Sequence, residues 1–187
     1  MEIRAVKELT PADWLELGNF GYRSIQKYEL TKQEAQGSFS MHLSLIDLEA
    51  VYEKVEMNDE EDLARYQEML QLGYSLGAYR DGGLIALVIA EPQHWNNTLM
   101  IWHVQVHKTY QRQGYGKLLI DQVNDMAQEK GFRATTIETQ NTNVPAIHFY
   151  RHCGYQIEGI DISLYSNNRN HDDEVAIYMR RPLSRTK

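Results

Sequence analysis

Gly114 and Gly116 stand two residues apart between a stretch that alternates like a strand and one that repeats like a helix. Upstream, Val104 and Val106 alternate with polar neighbours, as a half-buried strand requires. Downstream, Leu119, Val123, Met126 and Ala127 recur at helical spacing, Lys117, Asp121, Gln122, Asn124, Asp125, Gln128 and Glu129 cover the rest, and Gly131 suits the C-terminal end. A helix opening at such a place turns unbonded first-turn N–H groups and the positive end of its dipole toward the preceding loop. The glycines let that loop turn tightly and approach a ligand, and a Cβ at Gly114 is expected to crowd it. Arg112 and Lys117 add positive charge to an otherwise acidic chain. The chemistry is anion binding, and a pyrophosphate is the natural guest. It is neither a dinucleotide fingerprint, since position 119 is Leu119, nor a P-loop.

The elements that must position this loop are a strand before it and a second strand-to-helix unit after it. Residues 135–139 read as a strand, Gln140-Asn141-Thr142-Asn143 as a loop, and residues 144–152 as a short helix. Pro145 is acceptable in a first turn, and Thr142 or Asn143 can cap it. Cys153-Gly154-Tyr155 then leads into a final strand region. Two consecutive units of this kind bring their helix N-termini together between neighbouring strands.

At this point the chain resembles a known family. Gln111-Arg112-Gln113-Gly114-Tyr115-Gly116 resembles the acetyl-CoA pyrophosphate loop of the GNAT N-acetyltransferases. Asn143-x-x-Ala146-x-x-Phe149-Tyr150-x-x-x-Gly154-Tyr155 resembles the later motif of the same superfamily, in the right order and separated from the first by one helix and one strand. Over roughly residues 75–182 the chain looks most like the streptothricin acetyltransferases, which acetylate the β-lysine amine of that antibiotic. Trp95-Asn96, Asn143-x-Pro145-Ala146-Ile147-His148-x-Tyr150-Arg151, Gly159-x-Asp161-x-x-Leu164-Tyr165 and Ala176-x-Tyr178-Met179 carry that likeness. One departure is that Trp102, His103 and Gln105 occupy the central strand where acidic side chains are expected.

The resemblance implies an α/β (mixed α+β) fold, with a central mixed, mostly antiparallel sheet flanked by helices and splayed at the acetyl-CoA site. It implies acetyl-CoA as cofactor, held by Gln111, Arg112, Gln113, Gly114, Tyr115, Gly116, Lys117 and Asn143. Backbone groups of Val104 and Val106 bind the pantetheine arm in this picture, with the Val106 N–H polarising the thioester carbonyl. Tyr150 matches the family's catalytic tyrosine, and a phenol near pKa 10 is protonated at neutral pH, as a general acid must be.

The base and the acceptor site are read from the residues themselves. His103 and Gln105 share one strand face, with Trp102 and Val104 on the other, and His103 is a candidate to take a proton directly or through water. Glu138 is a second candidate. Asp161 and Glu174 are further carboxylates, whose expected role is to hold a cationic amine, and Trp102 and Tyr165 are candidates to wall the acceptor pocket by cation–π contact. His107 and His148 read as surface or hydrogen-bonded residues, His171-Asp172-Asp173 as a loop rather than a metal site, and Cys153 as an inert buried thiol.

Bulk properties bound the rest. A chain of 187 residues with 42% hydrophobic content suits one domain, residues 1–187, with a substantial core. A formal net charge of -7 argues against nucleic acid and anionic membrane as partners and favours a cationic acceptor. One cysteine leaves no internal disulfide, and no stretch approaches membrane-spanning length; the expected location is the cytoplasm, and pairing of edge strands would give a homodimer. Along the N-terminal half, residues 1–6 alternate as a strand, Thr10-Pro11-Ala12-Asp13 starts a helix, and residues 38–48 alternate again. Residues 56–72 look helical from near Asn58, and residues 74–79 and 84–91 form a hairpin about Arg80-Asp81-Gly82-Gly83. Three functions are compatible with these features: acetylation of a small cationic amine, with streptothricin the most specific candidate; acetylation of a protein or peptide amine; and acyl-CoA binding without catalysis.

Overall fold

The computed structural model describes residues 1–18, 20–56, 60–166 and 174–184. Its core is a seven-stranded sheet of β1 (Glu2–Ala5), β4 (Leu76–Arg80), β5 (Gly83–Gln93), β6 (Thr98–Val106), β7 (Ala134–Gln140), β9 (Ala176–Pro182) and β8 (Gln156–Asp161), in that spatial order. Only β6 and β7 run parallel; the other five pairings are antiparallel. The expected mixed, mostly antiparallel sheet is therefore present.

Helices cover both faces. Helices α3 (Tyr115–Glu129) and α4 (Val144–His152) pack one face, where Leu119, Ile120, Val123 and Ile147 are fully buried against Ile85, Val88, Ile101 and Ile137. Helices α1 (Pro11–Leu17) and α2 (Glu60–Gln71) cover the other, with Leu17, Met69 and Leu70 against Leu84, Leu87 and Ile89. Strand β5 is thus buried on both sides, which its near-continuous apolar run reflects. Among the described residues no helix is long and apolar enough to cross a membrane.

Local chemistry explains the helix ends. Thr10 and Asp13 form a reciprocal capping box at α1. Asn143, one of the two expected caps, accepts from the Ala146 N–H at 3.2 Å, with Pro145 in the first turn. Asn124, expected on the polar face of α3, is instead buried. Its Nδ2 donates to the Ile120 carbonyl, and its Oδ1 accepts from Thr135 at 2.5 Å and Tyr155 at 3.2 Å, so partners from other elements satisfy it inside the core.

The main correction lies between α1 and α2. The alternation expected over residues 38–48 extends through β3 (Ser38–Glu56), and its partner β2 (Phe20–Ala35) was not anticipated. Together they form a separate two-stranded ribbon, with a bulge between Ser24 and Gln26. Residue 56 ends β3 rather than starting the following helix, which is described from Glu60; the expected start near Asn58 lies outside the described residues. A lone two-stranded ribbon is marginal in water, and this one is tied down at Tyr28. The Tyr28 N–H donates to the Asn141 carbonyl at 2.9 Å, Asn141 Nδ2 donates back to the Tyr28 carbonyl at 2.8 Å, and the ring enters the core. Tyr28→Ala should cost about 3–5 kcal/mol, the usual range for removing a buried aromatic ring. Urea unfolding measures it; a loss under about 1 kcal/mol would mean that the ring is not an anchor.

Candidate active site

The parallel pair is short. Residues Thr98–Ile101 of β6 pair with Ala134–Ile137 of β7, and beyond the Ile101 and Ile137 rung the two strands part. A cause is visible on the other side of β6. Ile89 pairs with His103 and Ala90 with Ile101, so Trp102 is an extra residue, a bulge that bends its strand. The parting opens a split whose lips are Trp102 and Glu138, the first residues past the last rung.

Backbone groups face into that split. The His107 N–H donates to the Ile85 carbonyl at 2.9 Å. Alternation along an antiparallel ladder then turns the N–H and C=O of Val106 and Val104, which oppose Ala86 and Val88, away from β5. Gln111 Nε2 already uses one of these groups, donating to the Val106 carbonyl at 3.1 Å.

At the end of the split lies the glycine loop. Arg112 and Gly114 have positive φ of 60° and 90°, and Gly114 occupies the N-cap of α3 without a capping side chain. The first intrahelical bond runs from the Leu118 N–H to the Gly114 carbonyl at 3.0 Å, leaving the N–H groups of Tyr115, Gly116 and Lys117 for a ligand. The two glycines serve different ends. A Cβ on Gly114 would meet no protein atom within 4 Å, so within the protein its need is conformational, and the crowding expected from sequence concerns a bound phosphate. A Cβ on Gly116 would press at 3.3 Å on Phe149 and 3.4 Å on Val106, so there the need is close packing of helix on strand. Lys117 pairs with Asp121 at 2.5 Å, and Arg112 has no ion-pair partner among the described residues.

Loop, split and α4 together line a cavity of about 540 Å³, within the usual size range of ligand sites. Val104, Val106, Gln111, Arg112, Gly114, Tyr115, Gly116, Lys117, Asn143 and Tyr150 all line it. Gln113 does not; its Nε2 donates to the Thr109 carbonyl and braces the turn before the loop. The Tyr150 hydroxyl has no hydrogen-bond partner among the described residues, and burial raises its pKa well above the ordinary phenol value, with smaller contributions from Tyr155, Cys153 and Glu138.

Sequence reasoning missed the opposite wall. Phe20, Gly21 and Tyr22, at the root of β2, line this cavity and also a second one of about 880 Å³, bounded by the C-terminal end of α1 and residues 53–55 of β3. Gly21 was the available signal: a Cβ there would fall 2.1 Å from the Lys54 carbonyl oxygen, so only glycine lets the ribbon's arms meet at the root.

The remaining candidates line neither cavity. The His103 ring is boxed by Trp14, Phe20 and Tyr66, with centroids 5.9, 4.9 and 5.4 Å away. Gln105 Nε2 donates to the carbonyls of Leu17 and Gly18, so its Oε1 must accept from His103 Nε2 at 3.0 Å. This fixes the proton on that nitrogen. The Trp102 indole donates to Glu91 at 2.8 Å and has the Arg65 guanidinium over its ring at 4.1 Å. Tyr165 donates to Glu138, and the Lys54 ammonium lies 5.9 Å from its ring centre. Asp161 closes its own turn by accepting from the Ser163 N–H at 2.9 Å.

Glu174 is engaged from several sides. Oε1 accepts from Tyr22, Thr142 and Tyr52 at 2.7, 2.7 and 3.0 Å, and Oε2 from Lys54 at 2.7 Å. Burial opposes its charge, but the bonds from Lys54, Thr142 and Tyr22 outweigh that and hold its pKa below the ordinary carboxylate value. Burial pushes the Cys153 thiol up to about 11, in keeping with an inert side chain. Among the described residues no three His, Cys, Asp or Glu side chains gather as a metal set; His171-Asp172-Asp173 lies outside them.

Comparison with known proteins decides the family. Residues 41–155 match the model of the acetyltransferase (GNAT) family. The chain belongs to that family. This GNAT protein is 33% identical over 102 residues to the streptothricin acetyltransferase of Streptomyces lavendulae, covering 54% of this chain and 53% of that one. It is 30% identical over 102 residues to the Escherichia coli streptothricin acetyltransferase, covering 54% and 58%. The chain thus spans little more than half the length of these curated relatives. Solved structures align across nearly the whole chain. Nourseothricin acetyltransferase superposes with a TM-score of 0.74 at 25% identity, covering 98% of each chain. A protein from Bacillus anthracis str. Ames, provisionally named a streptothricin acetyltransferase and solved with acetyl coenzyme A, gives 0.73 at 27% identity, covering 97% and 99%.

Acetyl-CoA is the cofactor of a GNAT acetyltransferase, and the residues present fit it. Uncapped N–H groups at the start of α3 and the Arg112 guanidinium suit a pyrophosphate. Gly116 lets the start of α3 pack closely on Val106 and Phe149, and the backbone of Val104 and Val106 offers strand-like bonding along the split.

Proposed function

We propose that this acetyltransferase, acting as one unit over residues 1–187, transfers an acetyl group from acetyl-CoA to a primary amine of a small cationic molecule. The β-lysine amine of streptothricin is the most specific candidate. The observation that carries the proposal is the meeting, in one cavity, of an uncapped helix N-terminus, the outward-turned backbone of Val104 and Val106, and the partnerless Tyr150 hydroxyl. When bound, acetyl-CoA supplies an acetyl group activated as a thioester.

The chain's own residues then do three things. The loop from Gln111 to Lys117 and the backbone of Val104 and Val106 hold the donor in the split, with the Val106 N–H directed at the oxygen that gains charge. Tyr150, kept protonated by burial, holds a proton at its hydroxyl for the leaving sulfur. Glu138, at the lip of the split and bonded to Tyr165, is the carboxylate best placed to hold the incoming ammonium and receive its proton through water. Trp102 forms the other lip. His103 is left out of this assignment because its ring is enclosed and its Nε2 is committed to Gln105. The ribbon root standing across the cavity mouth favours a compact acceptor over an extended peptide. The Tyr150 hydroxyl, poised without a partner, favours catalysis over passive acyl-CoA binding.

Release of free CoA thiol should be followed with streptothricin, polyamines, aminoglycosides, free lysine and short peptides as acceptors. Turnover on streptothricin far above the others is the expected result. Turnover confined to peptides would replace the acceptor, and silence across all of them with tight acetyl-CoA binding would replace catalysis by binding.

A further inference from the structure

Both arms of the ribbon end on one carboxylate that the proposed chemistry does not use. Glu174 receives Tyr22 from β2, Tyr52 and Lys54 from β3, and Thr142 from the turn that precedes α4. Its side chain is only 17% exposed. Tyr22 and Thr142 are also 2.6 Å apart, so the two hydroxyls and the carboxylate form a closed triangle of short contacts. The Tyr22 and Tyr52 rings stack at 5.9 Å, which locks the two arms in register over the carboxylate.

The position of this cluster gives it a purpose. Tyr22 lines both cavities, Lys54 lines the larger, and Asn143, next to Thr142, lines the smaller. We propose that Glu174 is a positioning residue, a clasp that fixes the ribbon root against the α4 turn and so sets the wall of the active-site cavity. Its sequence-level role as an amine ligand is replaced, since both oxygens already serve four donors of the chain. The clasp also neutralises Lys54 beside the Tyr165 and Glu138 pair. That last consequence rests on the cationic-acceptor reading; the clasp itself does not.

The test is amide hydrogen exchange on the full chain, read over residues 20–28 and 50–56, together with acetyl-CoA affinity and acceptor kinetics. Glu174→Ala should speed exchange in these segments about tenfold or more and raise the acceptor KM by a similar factor, with a smaller change in kcat. Glu174→Gln, which still accepts the hydroxyl bonds but loses the Lys54 charge pair, should recover most of the exchange protection. Tyr52→Phe lines neither cavity, keeps the ring stack, and should speed exchange in the same segments by a lesser factor. Unchanged exchange in both Glu174→Ala and Tyr52→Phe would overturn the clasp, as would acceleration spread equally over β5 and β6. If no amine is acetylated, exchange and acetyl-CoA affinity still decide the matter, so the loss of the acceptor reading and the loss of the clasp give different results.

Discussion

Tyr150→Phe lowers kcat by about 10²–10⁴-fold, the usual contribution of a positioned general acid, while acetyl-CoA binds with unchanged affinity. The ring is retained, so its contacts with Phe149 at 5.3 Å and Tyr155 at 6.1 Å persist, and only the hydroxyl is lost. Because that hydroxyl has no partner among the described residues, its removal leaves no buried group unsatisfied. Stability should therefore barely move, which separates a catalytic loss from a folding loss. The pH profile adds a second check. Burial disfavours the phenolate and holds Tyr150 protonated beyond the ordinary phenol range. In the wild type, kcat should thus show no alkaline fall from this group below pH ~10. A variant with full turnover would remove Tyr150 from the acid role, whereas an alkaline limb near pH ~8 that vanishes in Tyr150→Phe would keep the role and overturn the upward pKa shift.

Gly114→Val lowers acetyl-CoA affinity by at least about tenfold, and calorimetric titration measures it. At φ of 90° a β-branched side chain is a steric outlier, and strain of this kind costs about 1–3 kcal/mol. The loop relieves it by rotating, which moves the N–H groups of Tyr115, Gly116 and Lys117 off a common focus. Gly114→Ala should show a weaker version of the same loss, since its Cβ meets no protein atom and a single methyl strains the backbone less than a β-branched side chain. Gly116→Val acts differently, pushing α3 away from Phe149 and Val106, and should reduce stability as well as affinity. Normal affinity in a folded Gly114→Val protein would move the anion site elsewhere.

The donor side could be read from the chain because its determinants are local. The turn at Gly114, the start of α3 and the Asn143 cap each depend on residues within about one helical turn, so spacing alone reveals them. The acceptor side depends on contacts across the chain. Glu174 meets Tyr22, 152 residues away, and Thr142, 32 away, and no short pattern announces such a cluster. Strand β2 was hidden for a related reason. In a ribbon without a second layer over most of its length no face becomes steadily apolar, and only Ser24 and Tyr28 are buried along it. Asn124 likewise reads as a surface residue until Thr135 arrives from β7 and Tyr155 from the turn before β8. His103 shows the converse: strand alternation gives its face correctly, but not that Trp14, Phe20 and Tyr66 enclose it.

The ribbon begins and ends at one spot, since its first and last residues, Phe20 and Glu56, pair with each other. It is an excursion that returns to its origin, so beyond the anchor at Tyr28 the rest of the chain is indifferent to its length. Lengthening or trimming the far tip around Gly37 changes closure entropy by only about 0.6 kcal/mol per doubling. The root, by contrast, tolerates little, because Gly21, Tyr22 and Lys54 meet there. Variation can therefore accumulate in the outer ribbon and remodel what stands before the cavity while the donor loop stays untouched. The two halves of the site can evolve at separate rates.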